Sequence, residues 1–211
     1  MASRRSPRIS GVRTDRESDQ LLVEKIQSGD KQAFDVLVLK YQRRLMRLVS
    51  RLVPDAAEAE DVVQESFIKA YRALLHFRGD SAFYTWLYRI GINTAKNFLS
   101  TQGKHLLTST DTDAELAEAL DDREHLRDIN TPESMLASKQ IAETVNAAMD
   151  MLPIELRTAI VLREIEGLSY EEISDIMACP IGTVRSRIFR AREAIAQKLR
   201  PLLDLPGDKR W

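Results

Sequence analysis

The chain has 211 residues, 44% hydrophobic and 30% charged, with 31 Lys and Arg against 32 Asp and Glu. That allows two small cores, and the few aromatics (6%) and 8 glycines read as all-helical, while the charge balance excludes a bulk nucleic-acid signature. No apolar run has the length of a membrane span, and the single cysteine, Cys179, excludes an internal disulfide and fits a reducing cytoplasm.

The charge is arranged in blocks. Residues 1–18 carry Arg4, Arg5, Arg8, Arg13 and Arg16 and are expected to form a basic disordered tail; they lack the apolar stretch of a secretory signal. A first domain is expected over residues 19–101. Its first helix, about 19–28, ends at Gly29. The second starts near Asp30 and places Phe34, Leu37, Val38, Tyr41, Leu45, Leu48, Val49 and Leu52 at helical spacing before Pro54. A third helix, about 56–75, buries Val63, Phe67, Ala70 and Leu74. Its opposite face collects Asp61, Gln64, Glu65, Ile68 and Arg72. That face suits either an arginine-bearing partner helix centred on Ile68 or plain solvent.

His76 to Phe83 has the Gly, Asp and Ser chemistry of a loop and leads into a helix over about 83–99. Phe83, Leu87, Ile90 and Thr94 should face inward. Trp86, Arg89, Asn93 and Lys96 recur at spacings of three and four on one flank. An indole, two cations and an amide can stack bases, take phosphates and read a base edge of single-stranded nucleic acid; equally, Trp86 can be half-buried core beside ordinary surface. Residues 102–131 follow as an acidic linker, with Asp111, Asp113, Glu115, Glu118, Asp121, Asp122, Glu124 and Asp128.

A second domain is expected over residues 132–203, with residues 204–211 as a tail. A helix at about 153–166 should pack through Ile154, Ala159, Val161, Leu162 and Ile165. Ser169 and Glu172 form a capping box, Pro180 interrupts the helix that follows, and a basic helix comes next, so the segment reads as a helix-turn-helix. A helix turns about 100° per residue, so Val184, Ile188, Ala191 and Ile195 form one apolar stripe while Arg185, Ser186, Phe189 and Arg190 lie opposite. Burial accounts for the first set. The second fits the DNA major groove, or a solvated basic helix whose Phe packs on a neighbour.

Three segments resemble bacterial sigma factors of the extracytoplasmic-function class, sigma-E envelope-stress type. Asp61-Val62-Val63-Gln64-Glu65-Ser66-Phe67 resembles their polymerase-binding helix. Phe77-Arg78-Gly79-Asp80-Ser81-Ala82-Phe83-Tyr84-Thr85-Trp86-Leu87-Tyr88-Arg89-Ile90, with Asn93 to Asn97, resembles their −10 segment. Gly167-Leu168-Ser169-Tyr170-Glu171-Glu172-Ile173, with Cys179 to Arg187, resembles their −35 reader. The likeness covers about residues 19–203.

The resemblance implies an all-α protein of two small helical domains, sigma-2 and a helix-turn-helix sigma-4, joined by a flexible acidic linker. It implies a promoter-selecting subunit that binds core RNA polymerase and promoter DNA, is monomeric when free, works in the cytoplasm, and is held inactive by a membrane-bound anti-sigma factor. By the same likeness Asp61, Gln64 and Glu65 meet the clamp helices of the largest polymerase subunit. The loop Arg78, Gly79, Asp80, Ser81, Ala82 and Phe83 takes a flipped −10 base, and Trp86, Asn93 and Lys96 hold the melted strand. Arg185, Ser186, Phe189 and Arg190 enter the groove at −35, with Arg163 and Tyr170 positioning the backbone.

Two rivals have less support. A ligand-sensing transcription regulator would need a pocket signature, and none appears. An enzyme would need a nucleotide-binding glycine pattern, a His-Glu-x-x-His or paired-Cys metal site, or a catalytic cluster; the 3 histidines lie far apart. No catalytic residue, metal, cofactor or small-molecule ligand is therefore expected.

Overall fold

A computed structural model describes residues 15–106 and 132–203. The expectations for the basic tail before residue 15, the acidic block at 111–128 and the tail after 203 lie outside the described residues. Within them the order is α1 (Asp15–Gln27), α2 (Gln32–Ser50), α3 (Ala56–Leu74), α4 (Phe83–Leu106), α5 (Pro132–Asp150), α6 (Ile154–Ile160), a π-helical turn (Val161–Ile165), α7 (Tyr170–Met177) and α8 (Ile181–Leu203), with no strand among the described residues.

The first unit packs α2, α3 and α4 around a shared core, with α1 laid across them. The helices α2 and α3 start where an aspartate can satisfy free amides. Asp30 Oδ1 accepts the amides of Gln32 (3.0 Å) and Ala33 (3.4 Å), and the Asp55 carboxylate accepts that of Glu58 (2.8 Å). Leu37, Leu45, Leu48, Leu87 and Ile92 are fully buried, each contributing about 1.5–3 kcal/mol. The approach of α4 to α2 is close: a Cβ on Gly91 would stand 2.7 Å from Leu45 Cδ1. Buried Asp19 ties α1 to α2, accepting from the Tyr41 hydroxyl (2.5 Å) and pairing with Lys40 (2.6 Å).

Two boundaries differ from expectation. The helix α1 begins at Asp15, not residue 19, because Asp15 and Glu17 suit a helix N-terminus and Lys40 pairs with Asp15 at 3.3 Å. The helix α4 runs on to Leu106 where the spacing places its end near residue 99. Gln102 donates to Glu58 Oε1 (2.5 Å) and holds the extra turn against α3.

In the second unit α5, α6 and α7 pack against α8. The capping box is present, with Ser169 Oγ accepting from Glu172 N (3.2 Å) and Glu172 accepting from Ser169 N (2.8 Å). Ala178 takes a left-handed conformation (φ 49°), and the carbonyl of Pro180 receives the amides of Thr183 and Val184, which starts α8. Val184, Ile188 and Ala191 are buried as expected, and Ile195 packs partly buried against the core. Ile165, expected to pack, is exposed: a π turn holds more residues per revolution than an α turn, which rotates it off the core face.

Candidate nucleic-acid and polymerase interfaces

Along α8 the two sets of side chains separate as their spacing demands. Ile188 is 1% exposed and Phe189, one residue on, is 68% exposed. Arg185, Ser186 and Arg190 share the open face with Phe189. Tyr170, from the start of α7, lies between two guanidiniums: Arg163 stands 4.8 Å and Arg185 5.6 Å from its ring centre. Arg163 is further fixed by donating to the Leu168 carbonyl at 2.7 Å. Tyr170, Arg163 and Arg185, scattered in the sequence, thus form one cluster beside the open face of α8. Two further arginines of this helix are held within the unit. Arg187 pairs with Glu155 (3.1 Å) and Arg192 with Glu164 (2.5 Å).

The loop before α4 is anchored from α1. Gln27 Nε2 donates to the carbonyls of Leu74 (3.0 Å) and Phe77 (2.8 Å). Gly79 takes φ +76°, and its missing side chain leaves room for Gln20, whose Oε1 would lie 3.1 Å from a Cβ there. Arg78 and Asp80 pair at 3.1 Å on the exposed rim, Ser81 and Ala82 are partly exposed, and Phe83 is buried. Trp86 is half-buried against Phe77 (4.9 Å between ring centres) and Phe83 (5.8 Å). The indole is therefore both part of the aromatic core and open at one edge. Asn93 is exposed, and Lys96 Nζ pairs with Glu155 of the second unit at 2.7 Å. The inward face of α4 also differs from expectation: Thr85, Tyr88, Ile92 and Ala95 are buried, whereas Ile90 is only half-buried.

On α3, Asp61, Gln64 and Glu65 are exposed, Glu65 pairs with Lys69 at 3.4 Å, and Ile68 is 45% exposed. An aromatic group whose spacing places it in the core extends this surface. Phe34 meets Tyr71 (4.9 Å) and Phe67 (6.4 Å) edge-on beneath a shallow groove of about 550 Å³ that Ile68 helps to line. Among the described residues no cluster of His, Cys, Asp or Glu could hold a metal ion.

Residues 37–105 match the family described as Sigma-70 region 2, and residues 140–195 match Sigma-70, region 4. The chain is 59% identical over 187 residues to the RNA polymerase sigma-H factor of Pseudomonas aeruginosa, covering 89% of this chain and 96% of that one. It belongs to the extracytoplasmic-function sigma factors. The ECF RNA polymerase sigma-E factor of Escherichia coli K12 is 56% identical over 186 residues, covering 88% of this chain and 96% of the relative. A solved complex of the sigma factor RpoE with the anti-sigma factor NepR from Bartonella quintana superposes with a TM-score of 0.64 at 26% identity, over 79% of this chain and 96% of that one. As a sigma factor, the protein is a transcription initiation factor that gives RNA polymerase its promoter choice, and it is not an enzyme. No described helix of this sigma factor is long and apolar enough to cross a membrane.

Proposed function

We propose that this sigma factor works in the cytoplasm as a monomer that docks on core RNA polymerase through Asp61, Gln64, Glu65 and Ile68, captures the −10 strand along α4 and its preceding loop, and reads the −35 duplex with α8. In this reading residues 19–101 are the sigma-2 domain and residues 132–203 the sigma-4 domain, with the boundaries moved out to Asp15 and Leu106. The observation that carries it is the open face of α8. A helix that buries Ile188 and leaves Phe189 bare among Arg185, Ser186 and Arg190 has the donors for guanine edges and phosphates and a ring for a thymine methyl. The Arg163–Tyr170–Arg185 cluster adds cationic charge beside that face for the DNA backbone.

The two sites divide the work. Duplex binding needs a helix that fits the major groove. Strand capture needs a base to leave the stack, at a cost of about a few kcal/mol, which the loop pocket and the Trp86 edge offset. Polymerase holds both sites at once, so neither need bind tightly alone. An anti-sigma factor that clasps both units, as expected from the likeness to envelope-stress sigma factors, would hold the protein inactive. The NepR-bound relative supports a partner of that kind. The acids of residues 111–124 would mimic RNA phosphates near the exit path, and unchanged abortive synthesis after their neutralisation would refute that role.

Mobility-shift assays test the assignment. Promoter duplex should shift specifically with sigma plus core polymerase and not with sigma alone. Asn93→Ala should leave that shift intact while reducing permanganate-reactive thymines at −10; unchanged melting would remove Asn93 from the site.

A further inference from the structure

The helix α1 lies ahead of the segment matched to Sigma-70 region 2, which begins at residue 37. One of its faces is turned to the loop that leads into α4. Gln20, Glu24 and Gln27 recur at spacings of four and three and so share that face. Gln20 donates to Glu24 Oε1 at 3.2 Å, and its own Oε1 occupies the room left by Gly79. Gln27 takes hold of backbone, donating to the carbonyls of Leu74 and Phe77. The adjoining face of α1 is fixed in place. Val23 and Ile26 are buried, and the Asp19 carboxylate is held by Tyr41 and Lys40 of α2. The loop is therefore set against a rigid support.

A helix cap needs only the first of the two Gln27 bonds. The Leu74 carbonyl ends α3 and already accepts from the Phe77 amide at 3.1 Å. The second bond goes past the helix to the Phe77 carbonyl, the last backbone group before Arg78. The Phe77 ring lies against Trp86 (4.9 Å between ring centres) and Phe83 (6.3 Å), so the backbone that Gln27 holds and the open edge of the indole move together. At the far end of the loop the Trp86 amide donates to the Ala82 carbonyl at 3.2 Å. Arg78, Gly79, Asp80 and Ser81 are thus suspended between two fixed points. A site that accepts one base and refuses the others needs its walls held within about 0.5 Å.

We infer that Gln27 is a positioning residue for −10 recognition: by holding the Phe77 carbonyl it fixes the shape of the loop over residues 78–82, and so α1 sets which base the loop accepts. This rests on the assignment of that loop to the flipped −10 base.

The test uses two full-length variants of similar side-chain length. Gln27→Glu removes both donors, because a carboxylate only accepts. Gln27→Met removes donor and acceptor without altering net charge, so it separates positioning from repulsion of DNA. The amides of His76 and Phe77, which bond back to Ala73 (3.0 Å) and Leu74 (3.1 Å), should exchange hydrogen about tenfold faster in both variants at unchanged helicity. Holoenzyme made with each variant is then titrated by fluorescence anisotropy. The probe is a labelled single strand from the −10 region of a promoter that the wild-type holoenzyme transcribes, and the same strand with one base replaced at a time. Both variants should lose about tenfold of the discrimination at the position where the wild type discriminates most, and should bind a −35 duplex as the wild type does. Exchange at the wild-type rate would overturn the hold on the loop. A cap that only steadied α3 would weaken binding of all strands alike, and an unmoved ratio between matched and replaced strands would overturn the positioning role. A wild-type holoenzyme with no preferred base at any position would instead strike the assignment of the loop to the flipped base and leave the exchange result standing.

Discussion

Phe189 and Ile188 are adjacent in sequence and opposite in consequence. Ile188 is 1% exposed, so Ile188→Ala should cost about 2–5 kcal/mol of stability and lower the melting temperature of the second unit by roughly 8 °C or more. Phe189 is 68% exposed, so Phe189→Ala should change stability by no more than about 0.5 kcal/mol. Burying a phenylalanine completely gains about 1.5–3 kcal/mol. The fraction that this ring still exposes is worth about 1–2 kcal/mol on docking against DNA, or about 5- to 30-fold in affinity. Thermal denaturation followed by circular dichroism reads the first quantity, and anisotropy of a −35 duplex bound by the holoenzyme reads the second. A Phe189→Ala protein that unfolds as easily as Ile188→Ala, or that binds the duplex as the wild type does, would refute the claim that one helix divides core and DNA duties this way.

Other sites give independent checks. Burial, then the hydrogen bond to Asp19, raises the Tyr41 pKa well above 10.0, and burial with Glu166 does the same for Tyr88. A raised folded-state pKa means stability that is complete below about 10 and lost as pH climbs toward the folded value. Absorbance at 295 nm should therefore show Tyr41 and Tyr88 ionising only as the protein unfolds in alkali, and Tyr41→Phe should reduce the slope of stability against pH above 10. Ala178 sits at φ 49°, so Ala178→Gly should stabilise the protein by about 1 kcal/mol, measured by urea denaturation. Gly91→Ala should destabilise: the gain in helix propensity is about 1 kcal/mol, and overpacking against buried Leu45 costs about 1–3 kcal/mol. Glu65→Arg should weaken association with core polymerase in a pull-down while leaving the melting temperature unchanged, since Glu65 is exposed and pairs only with neighbouring Lys69 among the described residues.

The features legible in the sequence are those with a local period or a local partner. The capping box at Ser169 and Glu172 is three residues wide, and the bare Phe189 opposite Ile188 follows from the helical turn alone. The exposed Ile68 on an acidic and amide face follows in the same way. What escaped depends on tertiary placement. The ion pairs of Arg187 with Glu155 and of Arg192 with Glu164 join separate elements, and helical spacing does not point to them. Ile165 looks like core until a π turn rotates it outward, because hydrophobic spacing assumes an unbroken α-helix. The hydrogen bonds of Tyr84 to Glu172 and of Tyr88 to Glu166 join residues 88 and 78 positions apart, and no window on the sequence spans such a pair.

Run-off transcription with purified core RNA polymerase tests the central claim most directly. With a set of promoter templates, this chain plus core should yield transcripts from a defined subset, and core alone should not. Arg185→Ala and Arg190→Ala should reduce those transcripts in a manner that depends on the −35 bases. A chain that left core's promoter choice unaltered, or that shifted the same DNA without polymerase, would contradict its role as the promoter-selecting subunit.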